Sequence, residues 1–270
     1  MKTQWIVDAF TSEAFKGNSA AVMLVEEFPS EQWMQSVATE NNLSETAYIK
    51  PIAPNHYYIR WFSPITEIDF CGHATLASAY VLYNYLSTEQ GISATQTLRF
   101  STNDVGDLTV KQCESGLIEM SFPNQNPKPI KNIPQALLNG LSREPLRILR
   151  NDQAYFAVYE SEEDVTEIEA NSSVLALLKP YDVVVTAPSD DPQRDFVSRY
   201  FWPASGGDED PVTGSIHAGL GPYWGEQLGK TSMVALQASR RSGLLNIEIS
   251  GERVLVSGNA VLFSKSQLYI

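Results

Sequence analysis

A chain of 270 residues is long for one small module and short for three domains, so one large or two medium domains are expected. With 43% apolar and 19% charged residues it can bury a sizeable core. Its 19 basic residues against 32 acidic ones give a formal charge of −13, which argues against the phosphate neutralisation that drives nucleic-acid binding and against an anionic membrane surface as partner.

Cys71 and Cys113 do not make a disulfide scaffold. The histidines, His56, His73 and His217, show no HxxxH or CxxC spacing, so no metal site is expected. No GxGxxG motif follows a strand and no GxxxxGK[ST] occurs, which leaves the common nucleotide sites without support. Asp8 and Glu13 interrupt the stretch where a signal peptide would be apolar. Residues 70–88 carry no formal charge, yet His73, Ser78, Asn84 and several tyrosines disqualify them as a lipid span. The expectation is a reduced, cytoplasmic protein.

In chain order, residues 4–10 and 20–25 read as strands around a loop holding Lys16, Gly17, Asn18 and Ser19. Ser30 is a plausible N-cap for a helix whose apolar stripe is Trp33, Met34, Val37 and Ala38, ended by Asn41 and Asn42. Residues 46–50 and 57–63, rich in aromatic and β-branched side chains, are strands. A helix starts near Gly72 and His73, with Leu76, Tyr80 and Tyr83 at helical spacing, and strands follow at 98–100, 108–112 and 117–122. Four prolines between 123 and 134 disfavour both helix interior and central strand and mark the best domain boundary. The second half repeats the first in outline: strands at 147–150, 155–159, 183–187 and 196–202, and a short helix at 173–178. A glycine-rich turn over 205–215 leads to a helix from about Ser215, and strands at 233–237, 245–249 and 254–263 close the chain.

An internal echo supports this outline. Arg60-Trp-Phe-Ser-Pro64 precedes Gly72-His73, and Arg199-Tyr-Phe-Trp-Pro203 precedes Gly214-Ser215; the prolines lie 139 residues apart and the glycines 142. A repeat of that period suggests two pseudo-equivalent domains, with the cleft between them as the default site. Two helix starts facing that cleft would present unpaired N–H groups and partial positive charge, suited to a small carboxylate. Ordinary helix starts satisfied by caps or water would look the same. Glu45 lies between a helix end and a strand, where desolvation raises a carboxyl pKa toward neutrality and lets it both accept and donate a proton; a solvated turn glutamate is the plainer alternative. His73, at a helix start, would stay neutral, as catalyst or as structural hydrogen-bonding residue. Asp210 reads as a helix N-terminal acid capping a turn near Pro211, and Ser215 as either an anion-binding hydroxyl or a cap.

Four stretches resemble the phenazine-biosynthesis PhzF-like family: Phe15-Lys-Gly-Asn-Ser-Ala-Ala-Val22, Asn42-Leu-Ser-Glu-Thr-Ala-Tyr48, Glu67-Ile-Asp-Phe-Cys-Gly-His-Ala-Thr75 and Gly207-Asp-Glu-Asp-Pro-Val-Thr-Gly-Ser215. The resemblance implies a diaminopimelate epimerase-like fold of the α/β (α+β) class. Two pseudo-symmetric domains, 1–123 and 124–270, would each wrap a barrel-like sheet around a central helix, the last strand being free to return to the first domain. It also implies an isomerase without metal or organic cofactor, similar to trans-2,3-dihydro-3-hydroxyanthranilate isomerase and acting as a homodimer on a small-molecule carboxylate. By resemblance Glu45 is the catalytic general acid/base, with His73 and Asp210 assisting. Asn18, Gly72, Gly214 and Ser215 bind substrate. Related epimerases and racemases use one cysteine before each helix; here only Cys71 matches, so a two-thiol mechanism is not expected. An amino-acid epimerase or racemase, or a non-enzymatic carboxylate-binding protein on the same scaffold, is the alternative.

Overall fold

The computed structural model describes residues 1–93 and 95–270 of a mixed α/β protein. It falls into two compact units: unit 1 comprises Met1–Ser121 and Ser257–Ile270, and unit 2 comprises Phe122–Val256. The first strands are β1 (Lys2–Ala9), β2 (Asn18–Leu24), β3 (Glu45–Ala53), β4 (His56–Phe62), β5 (Glu67–Ile68), β6 (Leu98–Ser101), β7 (Asp107–Gln112) and β8 (Ile118–Pro123). They are followed by β9 (Lys128–Pro129), β10 (Arg147–Arg150), β11 (Ala154–Val158), β12 (Asp182–Pro188), β13 (Phe196–Phe201) and β14 (Glu209–Asp210). The last are β15 (Ser232–Gln237), β16 (Gly243–Ser250), β17 (Arg253–Gly258) and β18 (Ala260–Leu268). The helices are α1 (Glu31–Asn41), α2 (Gly72–Tyr85), α3 (Ser87–Gln90), α4 (Gln135–Gly140), α5 (Glu162–Thr166), α6 (Ser172–Leu175) and α7 (His217–Leu228). No helix among the described residues is long and apolar enough to cross a membrane.

In unit 1, β1 pairs antiparallel with both β2 and β18. From there β2 runs parallel to β3, β3 antiparallel to β4, β4 antiparallel to β5 and parallel to β6, and β6 antiparallel to β7. Helix α2 packs on β1, β2, β3, β7 and β18. Residues 72–79 are all buried, as are Val81, Leu82 and Tyr83. A helix apolar on every side is stable only when walled in on every side, and β2, almost wholly buried itself, forms part of that wall. Helix α1 buries a single face: Met34, Val37 and Ala38 pack with Met23, Tyr48 and Phe62. The Ser30 side chain accepts from Trp33 N–H at its start, and Asn42 ends it in the left-handed conformation at φ 48°.

Unit 2 has the same pairing order. β11 runs parallel to β12, β12 antiparallel to β13, β13 antiparallel to β14 and parallel to β15, and β15 antiparallel to β16. The Arg-x-Phe echo acquires a physical reason. Arg60 forks onto Glu67 (Nε–Oε1 2.7 Å, Nη2–Oε2 2.6 Å) and lies 5.3 Å from the Phe62 ring centre. Arg199 forks onto Glu209 (2.7 and 3.0 Å) and lies 5.1 Å from the Phe201 ring centre. In each unit a half-buried guanidinium staples a long strand to a two-residue one.

Helix α7 carries Pro222 in its interior, where a missing N–H strands the carbonyl four residues earlier. That carbonyl, on Ala218, instead accepts from Gln125 N–H at 3.0 Å. The expected strand over 254–263 is two strands, β17 and β18, separated at Asn259. Gly258 passes so close to Phe10 that an added Cβ would sit 2.5 Å from its ring, and the Asn259 carbonyl turns to accept from Thr11 N–H at 3.2 Å. The expected helix from Ser215 starts later, at His217, because tight bonds from His217 N–H to Gly214 C=O and from Ala218 N–H to Ser215 C=O make the preceding turn. Gly214 and Ser215 therefore lie just outside the helix.

Candidate active site

In unit 1 three chain segments converge. Asn18 opens β2, Glu45 opens β3, and Cys71-Gly72-His73 leads into α2. The parallel pairing of β2 with β3 sets Ala20 opposite Glu45. Cys71, the residue before the helix, is in extended conformation and gives no side-chain cap; its carbonyl takes both the Thr75 N–H and the Thr75 hydroxyl. This fixes the entry to α2 and aims His73 at Glu45.

His73 Nε2 lies 2.9 Å from Glu45 Oε2. Asn18 Nδ2 lies 3.1 Å from His73 Nδ1, and Cys71 Sγ lies 3.4 Å from the same nitrogen and 3.9 Å from Nε2. With the Asn18 amide donating to Nδ1, the proton of a neutral imidazole rests on Nε2, the nitrogen 2.9 Å from the carboxylate. Exposure is 8% for Glu45, 6% for Cys71, 5% for His73 and nil for Asn18. Glu45 Oε2 is buried, and among the described residues no hydrogen-bond donor is aligned on it, His73 being close in distance but off the line. A buried carboxylate oxygen with an unfilled lone pair is costly unless a proton or a ligand takes it up. Neither Cys71 nor Cys113 is in a disulfide.

In unit 2 the turn that holds Asp210 and Ser215 is braced from behind. Thr213 donates its hydroxyl to Asp210 Oδ2. Gln237 Oε1 accepts from Thr213 N–H at 2.8 Å, and its Nε2 donates to Asp210 C=O at 2.9 Å. Ser215 Oγ accepts from Gln153 Nε2 at 3.0 Å, which leaves the hydroxyl proton to be given elsewhere. The same Gln153 amide reaches Tyr200 Oη at 3.1 Å, and that hydroxyl donates to Asp182 Oδ2 at 2.8 Å. Burial raises the pKa of both: the phenol sits well above its usual range with the Asp182 charge adding to the effect, and burial lifts Asp182, partly offset by the hydrogen bond from Tyr200. Sequence reasoning did not find Gln153 or Gln237, because their bonds span 62 and 24 residues. A lone glutamine at the end of an apolar strand run was the available signal for Gln237.

His217 donates from Nδ1 to Thr213 C=O at 2.9 Å and stacks on Phe196 at 6.1 Å between ring centres. Its Nε2 is buried without a partner among the described residues, and burial pushes its pKa down to about 4. An unfolded chain protonates this ring below about pH 6.5, whereas the folded one does so only below about pH 4. The associated stability is thus full above pH 6.5 and lost as pH falls through that window, about 3 kcal/mol in all. Denaturant unfolding across this range should show a pH slope that flattens by about one proton in His217→Gln; identical slopes would contradict the neutral assignment. His56 bonds Ser101 Oγ at 2.8 Å.

Comparison with known proteins bears out the resemblance and the epimerase-type fold. The chain is 44% identical over 98% of both lengths to an uncharacterized isomerase of Halalkalibacterium halodurans. It superposes on a PhzF-family phenazine biosynthesis protein of Enterococcus faecalis with a TM-score of 0.91 at 41% identity, covering 100% of this chain and 99% of that one. A hydroxyproline epimerase of Agrobacterium vitis shares the fold alone, at a TM-score of 0.60 and 12% identity over 98% and 91% of the two chains. Residues 7–266 match the model of the PhzC-PhzF family, phenazine biosynthesis-like protein, and the chain belongs to that family.

Proposed function

We propose that this PhzF-family isomerase moves a proton within a small cyclic or unsaturated carboxylic acid, without a cofactor, and that Glu45 is the group that carries it. The observation behind this reading is the buried Glu45 Oε2, which has no aligned donor and stands beside His73. The carboxylate takes a proton from one carbon of the substrate, the electron pair left behind shifts along the unsaturated system, and the new carboxylic acid returns the proton to a second carbon. His73 facing Glu45 steadies the carboxylate and the charge that moves during transfer. Asn18, wholly buried behind the imidazole, orients it. By the same resemblance Gly72, Asp210, Gly214 and Ser215 are taken as groups that bind substrate, the Ser215 hydroxyl having a proton to give.

The chemistry asks for a substrate related to trans-2,3-dihydro-3-hydroxyanthranilate in one respect: an acidified C–H conjugated to a second carbon that can accept the proton. The same reading takes the chain as a cytoplasmic homodimer. It also takes the two units as copies of one ancestral unit, 1–123 and 124–270 with the last strand returned. The shared pairing order and the paired Arg–Glu staples support that descent.

The test is to incubate the protein with a panel of cyclic and unsaturated carboxylic acids and follow each by proton NMR. Migration of a double bond is the expected result. Cys71 Sγ, 3.4 Å from His73, favours a second reading, in which a thiol serves as an additional base and an amino acid is epimerised. Loss of the α-proton signal from amino acids in heavy water, with no double-bond migration in any acid, would select it instead. Carboxylates that bind but never exchange hydrogen would remove both.

A further inference from the structure

Glu45, Cys71 and His73 place a carboxylate oxygen, a sulfur and an imidazole nitrogen within 4.8 Å of one another, all three residues buried. These are three ligand types that zinc accepts, and three protein ligands plus one open position is the arrangement of a reactive zinc site. Around a tetrahedral ion with bonds of about 2.0 Å to N and O and about 2.3 Å to S, neighbouring ligand atoms stand roughly 3.3–3.6 Å apart. Here Sγ is 3.9 Å from His73 Nε2, and Nε2 is 2.9 Å from Glu45 Oε2. The third edge, Sγ to Oε2, is at most 4.8 Å, so closing round an ion requires shifts of about half an ångström on the first two edges and up to about an ångström on the third, by side-chain rotation. Two further observations point the same way. Glu45 Oε2 is a buried acceptor with no aligned donor. Asn18 stands 3.1 Å from the far nitrogen, Nδ1, and its amide, turned over, would accept the Nδ1 proton while Nε2 holds the metal, the outer-shell bond that fixes a ligating histidine.

We propose that Glu45, Cys71 and His73 form a binding site for a thiophilic divalent cation of the zinc class, and that the cation excludes the proton-transfer reaction. On binding, the Cys71 thiol gives its proton to solvent, and the thiolate and the carboxylate together neutralise the ion. The lone pair of Glu45 that would take the substrate proton is then held by the metal. Binding itself does not depend on the isomerase reading; the inhibition rests on it. The spacing rules for metal motifs miss this trio because its donors lie 26 and 2 residues apart, on a strand start and a helix start.

Tag-free, metal-free protein titrated with Co²⁺ should bind one equivalent and develop the near-ultraviolet thiolate-to-cobalt charge-transfer band, which one equivalent of Zn²⁺ abolishes. Cys113→Ala should keep the band, Cys71→Ala should lose it, and Glu45→Gln should weaken binding by about tenfold or more. No thiolate band in the unaltered chain, or a band that survives in Cys71→Ala, overturns the site. Should Cys71→Ala fold poorly, the unaltered chain still decides: Zn²⁺ must protect Cys71 from alkylation, mapped by peptide mass, and leave Cys113 reactive, whereas equal protection of both or of neither overturns it. With a substrate in hand, full turnover by the zinc-loaded protein overturns the inhibition and leaves the isomerase reading standing. Absence of turnover on every acid tried fails that reading while the cobalt result stands on its own.

Discussion

Glu45→Gln is expected to lower turnover by about 10²–10⁴-fold, the range in which a positioned acid–base group contributes, while leaving the fold intact. Glutamine keeps the size of the side chain and its oxygen but cannot carry a proton. The side chain opens β3, and the backbone pairing of Ala20 with residue 45 involves no carboxylate, so the strand should survive the change. Burying an uncharged amide beside His73 is also easier than burying a carboxylate. Steady-state kinetics with circular dichroism as the fold control checks this. The fall should appear in kcat rather than KM, since the lost group acts during proton transfer. A variant with a raised KM and unchanged kcat would make Glu45 a binding residue.

Gly17→Ala is expected to destabilise the protein by about 3 kcal/mol, combining the cost of a left-handed backbone for a residue with a Cβ and that of overpacking. Gly17 has φ +66°, and an added Cβ would meet the Ala9 carbonyl oxygen at 2.1 Å and Thr11 Cγ2 at 2.7 Å. The first contact is to backbone, so no side-chain rotation relieves it. The chain must shift between β1 and β2, and the next residue is Asn18, which holds His73 Nδ1 at 3.1 Å. Stability and turnover should therefore fall together, the first read from the urea midpoint at constant m-value and the second from kcat. An unchanged midpoint would mean that the loop before β2 is slack and does not position Asn18.

Local signals carried far into this fold. Ser30 and Asn42 bracket α1 as a serine cap and a left-handed stop should. The apolar stripe of Met34, Val37 and Ala38 names the face that is buried. The Arg-x-Phe echo marks two strands that prove to carry the same staple. What stayed illegible depends on distant partners. The two-residue strands β5 and β14 are too short to show a period, and exist because Arg60 and Arg199 hold them. The break at Asn259 follows from Phe10, about 250 residues away in the chain. The late start of α7 reflects the tight turn at Gly214 and Ser215, which a glycine-serine pair before a helix does not announce.

Of the site, Glu45 and His73 were readable as candidates only through the motifs that contain them; residue type alone left each with a plain structural explanation. Their approach to 2.9 Å comes from tertiary packing, the start of β3 against the start of α2. Asn18 illustrates the remaining gap. Its motif points to substrate binding, and the sequence does not show its full burial with the side-chain amide 3.1 Å from His73 Nδ1.

The most direct test of Glu45 as proton carrier is the hydrogen content of the product. Substrate converted in heavy water by the unaltered protein should yield product whose newly protonated carbon carries at most one deuterium, and Glu45→Gln should neither form product nor exchange the substrate C–H within the same time. Deuterium entering that carbon at the unaltered rate in Glu45→Gln would show that another group moves the hydrogen.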